Sequence, residues 1–162
     1  MKGMIVYSFA WRKKGHSPCN IRLAEGAKRI IEAQDEPVLV FAQRTTALVL
    51  KELSVECQIV PKRSSYEGSE VLTRQPAEVF KENGITEVIP VAQPFLQLTK
   101  CIQLVHKEGF RTPSFFKLVS LIGWIGFDRE SVQPWTRGLF RLVFYTARQI
   151  LFSYKPPPEL SE

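Results

Sequence analysis

The chain has 162 residues, of which 44% are hydrophobic and 23% charged, enough for one globular domain with a substantial core. Its net charge is +6, with the excess concentrated before residue 64, a bias that attracts phosphate, nucleic acid or an anionic lipid surface, or simply solvates one face. Three cysteines (Cys19, Cys57, Cys101) and two histidines (His16, His106), without C-x-x-C or Cys/His spacing, argue against a disulfide framework or a metal site and fit reduced thiols in a cytosol.

Residues 4–10 form the first strand candidate, followed by a polar loop whose order, apolar run before basic cluster, is the reverse of a secretory signal. Ser17-Pro18 opens a helix, serine capping and proline at the first turn, with Ile21, Ala24, Ala27 and Ile31 on one face. Asp35-Glu36-Pro37 ends it. Residues 38–42 form a second strand, Thr45 or Thr46 caps a helix through Leu53, and residues 57–60 form a short third strand.

Ser65 caps a helix opening at Tyr66-Glu67. Pro76 falls inside its pattern and predicts a kink, or two helices with the second opening at Pro76, before Asn83-Gly84 stops it. Residues 87–92 read as a buried strand and Gln93-Pro94 as a turn. Phe95, Leu98, Ile102 and Val105 then recur at helical spacing up to Gly109, which leaves His106 on the solvated face. A fifth strand is expected within residues 118–127. A final helix spans 136–154, with Arg137, Arg141 and Arg148 beside an apolar side expected to pack on the sheet. The apolar run at 115–127 is too short to cross a bilayer, which takes about 20 residues.

Strands alternating with helices define an α/β protein: a Rossmann-like three-layer sandwich with a mainly parallel sheet of about five strands. Residues 1–155 form the single domain and 156–162 a loose tail. Right-handed crossovers send the post-strand loops to one rim, where open α/β sheets bind ligands. The second, third and fourth strands bring Gln43 and Arg44, then Arg63, Ser65 and Glu67, then Gln93 to that rim, and Ser17 follows the first. Arginines, hydroxyls and helix N-termini there suit a phosphate or carboxylate, and the same residues also cap helices and solvate loops. Glu67 is the one carboxylate at the rim and so the candidate general base. No G-x-G-x-x-G, Walker loop or G-x-S-x-G elbow is present, and no named nucleic-acid motif appears.

The segment order resembles the YdcF/SanA/ElyC-like family, a bacterial domain family of largely unknown function, some of whose members belong to cell-envelope pathways. Ser17-Pro18 before Arg22-Leu23 is similar to the family's Ser-Pro ahead of an Arg-Leu helix. Ser65-Tyr66-Glu67 resembles its Thr-x-Glu-Asn helix start, and residues 91–96 its V-T-S-x-Y-H strand and turn. Ala92-Gln93 stand in place of Thr-Ser, Leu96 in place of His, Gln43-Arg44 in place of Gly-Gly, and Gln149 in place of a last-helix carboxylate. The resemblance therefore implies a Rossmann-like fold and a divergent site whose family polar set is reduced to Arg22 and Glu67.

Two functions follow as expectations. One is binding of an anionic small molecule by Ser17, Arg22, Gln43, Arg44, Arg63, Ser65 and Gln93, with Glu67 positioning or deprotonating a group. No metal is called for, and no cofactor is specified. The other is a noncatalytic interaction module of the cell envelope or a membrane surface, using the arginine-bearing last helix and the basic amino-terminal loop. A cytoplasmic location is expected, with no nucleic-acid partner.

Overall fold

Every strand of the sheet runs parallel, in the order β3-β2-β1-β4. The computed structural model describes residues 1–60, 68–94 and 96–152, without the side chains of residue 96 and of 149–152. The elements are β1 (Lys2–Val6), α1 (Pro18–Glu32), β2 (Val38–Ala42), α2 (Arg44–Glu52), β3 (Gln58–Ile59), α3 (Ser69–Glu82) and β4 (Val88–Val91). After these come α4 (Leu96–Lys107), α5 (Phe115–Ile122), a 3₁₀ turn (Pro134–Arg137) and α6 (Leu139–Phe152). This is an α/β architecture compatible with a Rossmann-like class.

β1 is the inner strand, pairing with β2 from Lys2↔Val38 to Val6↔Ala42 and with β4 from Gly3↔Val88 to Val6↔Val91. It is shorter than its apolar pattern, because β2 and β4 end level with Val6 and residues 7–10 have no ladder to join. Right-handed crossovers put α1 and α2 on one face of the sheet and α3 on the other. The packing agrees: α1 lies against α2 and α5, and α3 against α4. On the α3 face Phe80 sits edge-on to Phe41 (5.4 Å, 83°) and to Phe110 (6.0 Å, 90°). Its ring occupies the space of a Cβ at Gly3, 3.0 Å away, so the strand needs glycine there.

Other sequence expectations are corrected among the described residues. The fifth strand is absent among the described residues, and residues 115–122 form α5 instead. Ser114 caps that helix by accepting from Lys117 N, and Leu118 and Ile122, four apart, both bury. Pro90 adds a reason on the sheet side. In the parallel ladder Tyr7 N bonds Val91 O and Val88 N bonds Arg111 O, so Pro90 faces outward and offers no donor to a further strand. Among the described residues only the single bridge Glu87↔Arg111 forms on that edge.

The expected cap at Ser65 and helix opening at Tyr66-Glu67 lie outside the described residues, within which α3 runs from Ser69. Gly68 is extended (φ −69°, ψ 163°) and precedes α3, whose first-turn carboxylate is Glu70. α3 then runs as one helix through the buried Pro76. The second helix opens at Arg44 with Gln43 before it, so Thr45 and Thr46 lie inside its first turn rather than capping it. Lastly, α6 packs on the 3₁₀ turn rather than on the sheet, whose faces are already covered by the other helices.

Candidate functional site

β1 and β4 are adjacent strands whose crossover helices lie on opposite faces, so the chain diverges between them, and this is where such sheets open a crevice. The backbone leaving β1 loses its ladder partners and must find others. Ser8 supplies most of them. Its N–H donates to Gln43 Oε1 (2.9 Å), its hydroxyl lies 2.6 Å from Thr45 Oγ1 and 2.8 Å from Thr46 Oγ1, and its carbonyl accepts from Gln97 Nε2 (3.0 Å). Gln97 Oε1 in turn accepts from Gln93 N at 2.9 Å. One side chain thus stitches the β1 and β4 loops across the crevice.

Asn20, buried at the third position of α1, serves the next two residues. Its Oδ1 accepts from Phe9 N (2.9 Å) and Ala10 N (3.4 Å), and its Nδ2 donates to Thr45 Oγ1 at 3.2 Å. Beneath them, the fully buried Tyr7 hydroxyl meets Thr73 Oγ1 at 2.7 Å, and burial pushes its pKa well up. Burial likewise pushes the Cys101 thiol to about 12 and the Cys19 thiol to about 11, so neither is a thiolate at neutral pH.

The predicted site residues divide into three groups. Gln43 and Gln93 converge on Ser8, the first directly and the second through Gln97. Arg44 is exposed at the first residue of α2, whose first turn holds no carboxylate and is not capped by the Gln43 side chain. Ser17 and Arg22 serve the segment after α5 instead. Ser17, 2% exposed, caps α1 by accepting from Cys19 N and also hydrogen-bonds Asp128, while Arg22 Nη1 donates to Ile125 O at 3.1 Å. Glu67, Arg63 and Ser65 lie outside the described residues.

Gln93 is 1% exposed, and its Oε1 has no hydrogen-bond partner among the described residues, a state it shares with the Oε1 and Nε2 of Gln75 on α3. A buried acceptor left unpaired costs about 1–3 kcal/mol, so its position calls for a donor. Val91 and Ala42 stand level in register with Val6, which puts Gln93 and the start of α2 about two strand spacings, roughly 10 Å, apart.

Arg12 and Lys13, on the loop after β1, part company. Lys13 and its neighbour Lys14 are exposed, whereas Arg12 is bound to Asp128 and Glu130. Among the described residues no group of histidine, cysteine and carboxylate side chains is arranged to hold a metal ion. His106 is exposed and meets Thr112 Oγ1 at 2.9 Å, the surface role its helix position predicts. Comparison of the chain with models of protein families and with curated proteins gave no match.

Sequence reading did not find Ser8, Asn20, Gln97 or Asp128. Asn20 left a signal: it is a polar residue three before Leu23 and seven before Ala27, on the face that buries.

Proposed function

We propose that this chain is a divergent YdcF/SanA/ElyC-like protein, a Rossmann-like three-layer sandwich that binds an anionic small molecule bearing phosphate or carboxylate at the carboxyl ends of its strands. The observation that carries this reading is the start of α2. Gln43, the residue before the helix, turns its side chain inward to Ser8 N and so does not cap it, the first turn holds no carboxylate, and an exposed arginine, Arg44, stands at its first residue. A cation at a helix N-terminus is unfavourable alone, and an anion bound there relieves both charges. Lys13 and Lys14, exposed on the loop after β1, add to the same field.

The unpaired Gln93 Oε1, about 10 Å across the rim, accepts rather than donates. A ligand satisfying both ends therefore carries a hydroxyl as well as an anion, as a sugar phosphate does. Binding, not turnover, is proposed, because Leu96, Gln43-Arg44 and Gln149 stand where the family it resembles has a histidine, Gly-Gly and a carboxylate.

Thermal-shift measurements with orthophosphate, sugar phosphates, nucleotides and dicarboxylates test this. A true ligand at 100 times its Kd stabilises by about 2.7 kcal/mol, and Arg44→Ala removes most of that gain. If no phosphate or carboxylate compound raises the melting temperature, or if Arg44→Ala responds like the parent, the reading fails.

A further inference from the structure

α6 is the least sheltered apolar element among the described residues. Phe140 is 91% exposed and Phe144 71%, with Leu139 and Val143 about half exposed. Single exposed apolar side chains are ordinary, but four within six residues on one helix are not. The helix is held from beneath by the buried Leu142 and by Tyr145, which stacks on Trp135 of the 3₁₀ turn (4.3 Å, 17°). The described residues leave its outer side open.

At about 100° per residue, Phe140, Val143, Phe144 and Ala147 fall on one stripe, and Arg141 and Arg148 run along one flank of it. A cleft of about 420 Å³ lies between Trp135, Phe140, Phe144 and Tyr145, with Arg141 and Arg148 in its walls. The charge is one-sided: residues 131–158 contain Arg137, Arg141, Arg148 and Lys155 and no Asp or Glu.

We infer that α6 docks the protein onto an anionic lipid surface, with Phe140 and Phe144 entering the acyl boundary and Arg141 and Arg148 meeting lipid phosphates. An aromatic stripe flanked by arginines and free of carboxylates is the pattern of a helix lying in the membrane interface. It lies in the surface rather than crossing it. Fourteen residues reach about 21 Å, short of the roughly 30 Å hydrocarbon core, and no described helix is long and apolar enough to span. The cleft suits one lipid, its phosphate at the arginines and the start of its chain against the aromatic rings. This inference is independent of the anion site at the strand ends, because it uses none of the same residues.

Co-sedimentation of the full chain with vesicles tests it, comparing equal parts phosphatidylglycerol and phosphatidylcholine with phosphatidylcholine alone. The protein sediments with the anionic vesicles at low salt and is largely released in about 1 M salt, where screening shortens to about 3 Å. Arg141→Gln and Arg148→Gln each weaken partitioning about fivefold, and Phe140→Ser/Phe144→Ser abolishes it while leaving the circular dichroism unchanged. Arg44→Ala binds vesicles like the parent. Three results overturn the inference: no binding to anionic vesicles at low salt, a folded Phe140→Ser/Phe144→Ser variant that binds like the parent, or a dimer in solution that this variant splits while vesicles bind neither form.

Discussion

Arg12 grips Asp128 across 116 residues of sequence, with Nε 2.7 Å from Oδ2 and Nη2 2.6 Å from Oδ1. This two-pronged contact fastens the loop after β1 to the chain beyond α5. Val132 N and the Ser131 hydroxyl add to it by donating to Trp11 O. The Asp128 side chain is fully shielded, while Arg12 keeps a quarter of its side-chain surface in water. Burial alone would raise the Asp128 pKa, but Arg12, the Ser17 hydroxyl and the Glu130 N–H together hold it below the ordinary carboxyl value. A depressed carboxyl stabilises the fold above its unfolded pKa, about 3.9, and that contribution is lost as pH falls through the lower folded value. Asp128→Asn is therefore expected to cost about 2–3 kcal/mol in urea denaturation at pH 7. The gap to the parent should narrow below about pH 4, as the parent's own carboxyl protonates. A gap that stays constant down to pH 2 would show that the pair contributes no charge-dependent stability.

Gly26 permits the close contact of α1 with α5. A Cβ there would lie 3.1 Å from Ile122 O and 3.3 Å from Ile122 Cα, both backbone atoms that cannot swing aside. Gly26→Ala gains about 1 kcal/mol of helix propensity but overpacks this contact by about 1–3 kcal/mol. A net loss of about 1 kcal/mol is expected, visible as a lower denaturation midpoint with an unchanged slope. A stabilised variant would mean that α5 is free to shift outward.

The same contact shows where sequence reading reached its limit. The α4 helix and the places of the three longer strands were legible because each pattern has one period, whereas the face expected for α1 is turned: Ile21 is exposed, and Leu23 and Ile30 bury with Ala24 and Ala27. The 115–127 run was not legible, because an apolar stretch broken by two glycines fits a short strand as well as a helix. What decides it is Pro90, on another element: it closes the outer edge of β4 and leaves the run to pack as α5. At the site, loop position alone placed Gln43, Arg44 and Gln93 correctly at strand ends. It could not tell that Ser17 and Arg22 turn toward Asp128 and Ile125, because those partners are more than 100 residues away. Nor could it tell that an interior serine, Ser8, collects the bonds of four other side chains.

Gln93 offers a test that separates folding from ligand binding. Its Oε1 is buried and unpaired, so Gln93→Met, similar in volume and free of the polar group, should raise stability by about 1 kcal/mol without ligand. Its backbone N–H to Gln97 and its carbonyl to Leu98 N are untouched by the change. If the amide oxygen receives a ligand hydroxyl, the same variant binds a sugar phosphate more weakly than the parent while its affinity for orthophosphate is preserved. A variant less stable than the parent would show that the amide is already satisfied, for instance by an internal water.

Arg44 should show the opposite trade. A glutamate at the first residue of α2 exchanges an unfavourable charge for a favourable one at the positive end of the helix, worth about 0.5–1 kcal/mol at low ionic strength. Arg44→Glu is thus expected to be more stable than the parent when no ligand is present, with the gain fading as salt is added. In the same position it repels an incoming phosphate, so the stabilisation by ligand disappears. A protein that becomes firmer and loses binding through one surface substitution would mean that Arg44 is kept at a cost to folding because an anion occupies the end of α2. If the variant gains nothing in low salt, the helix end is neutralised by other groups, and the electrostatic argument for the site is lost with it.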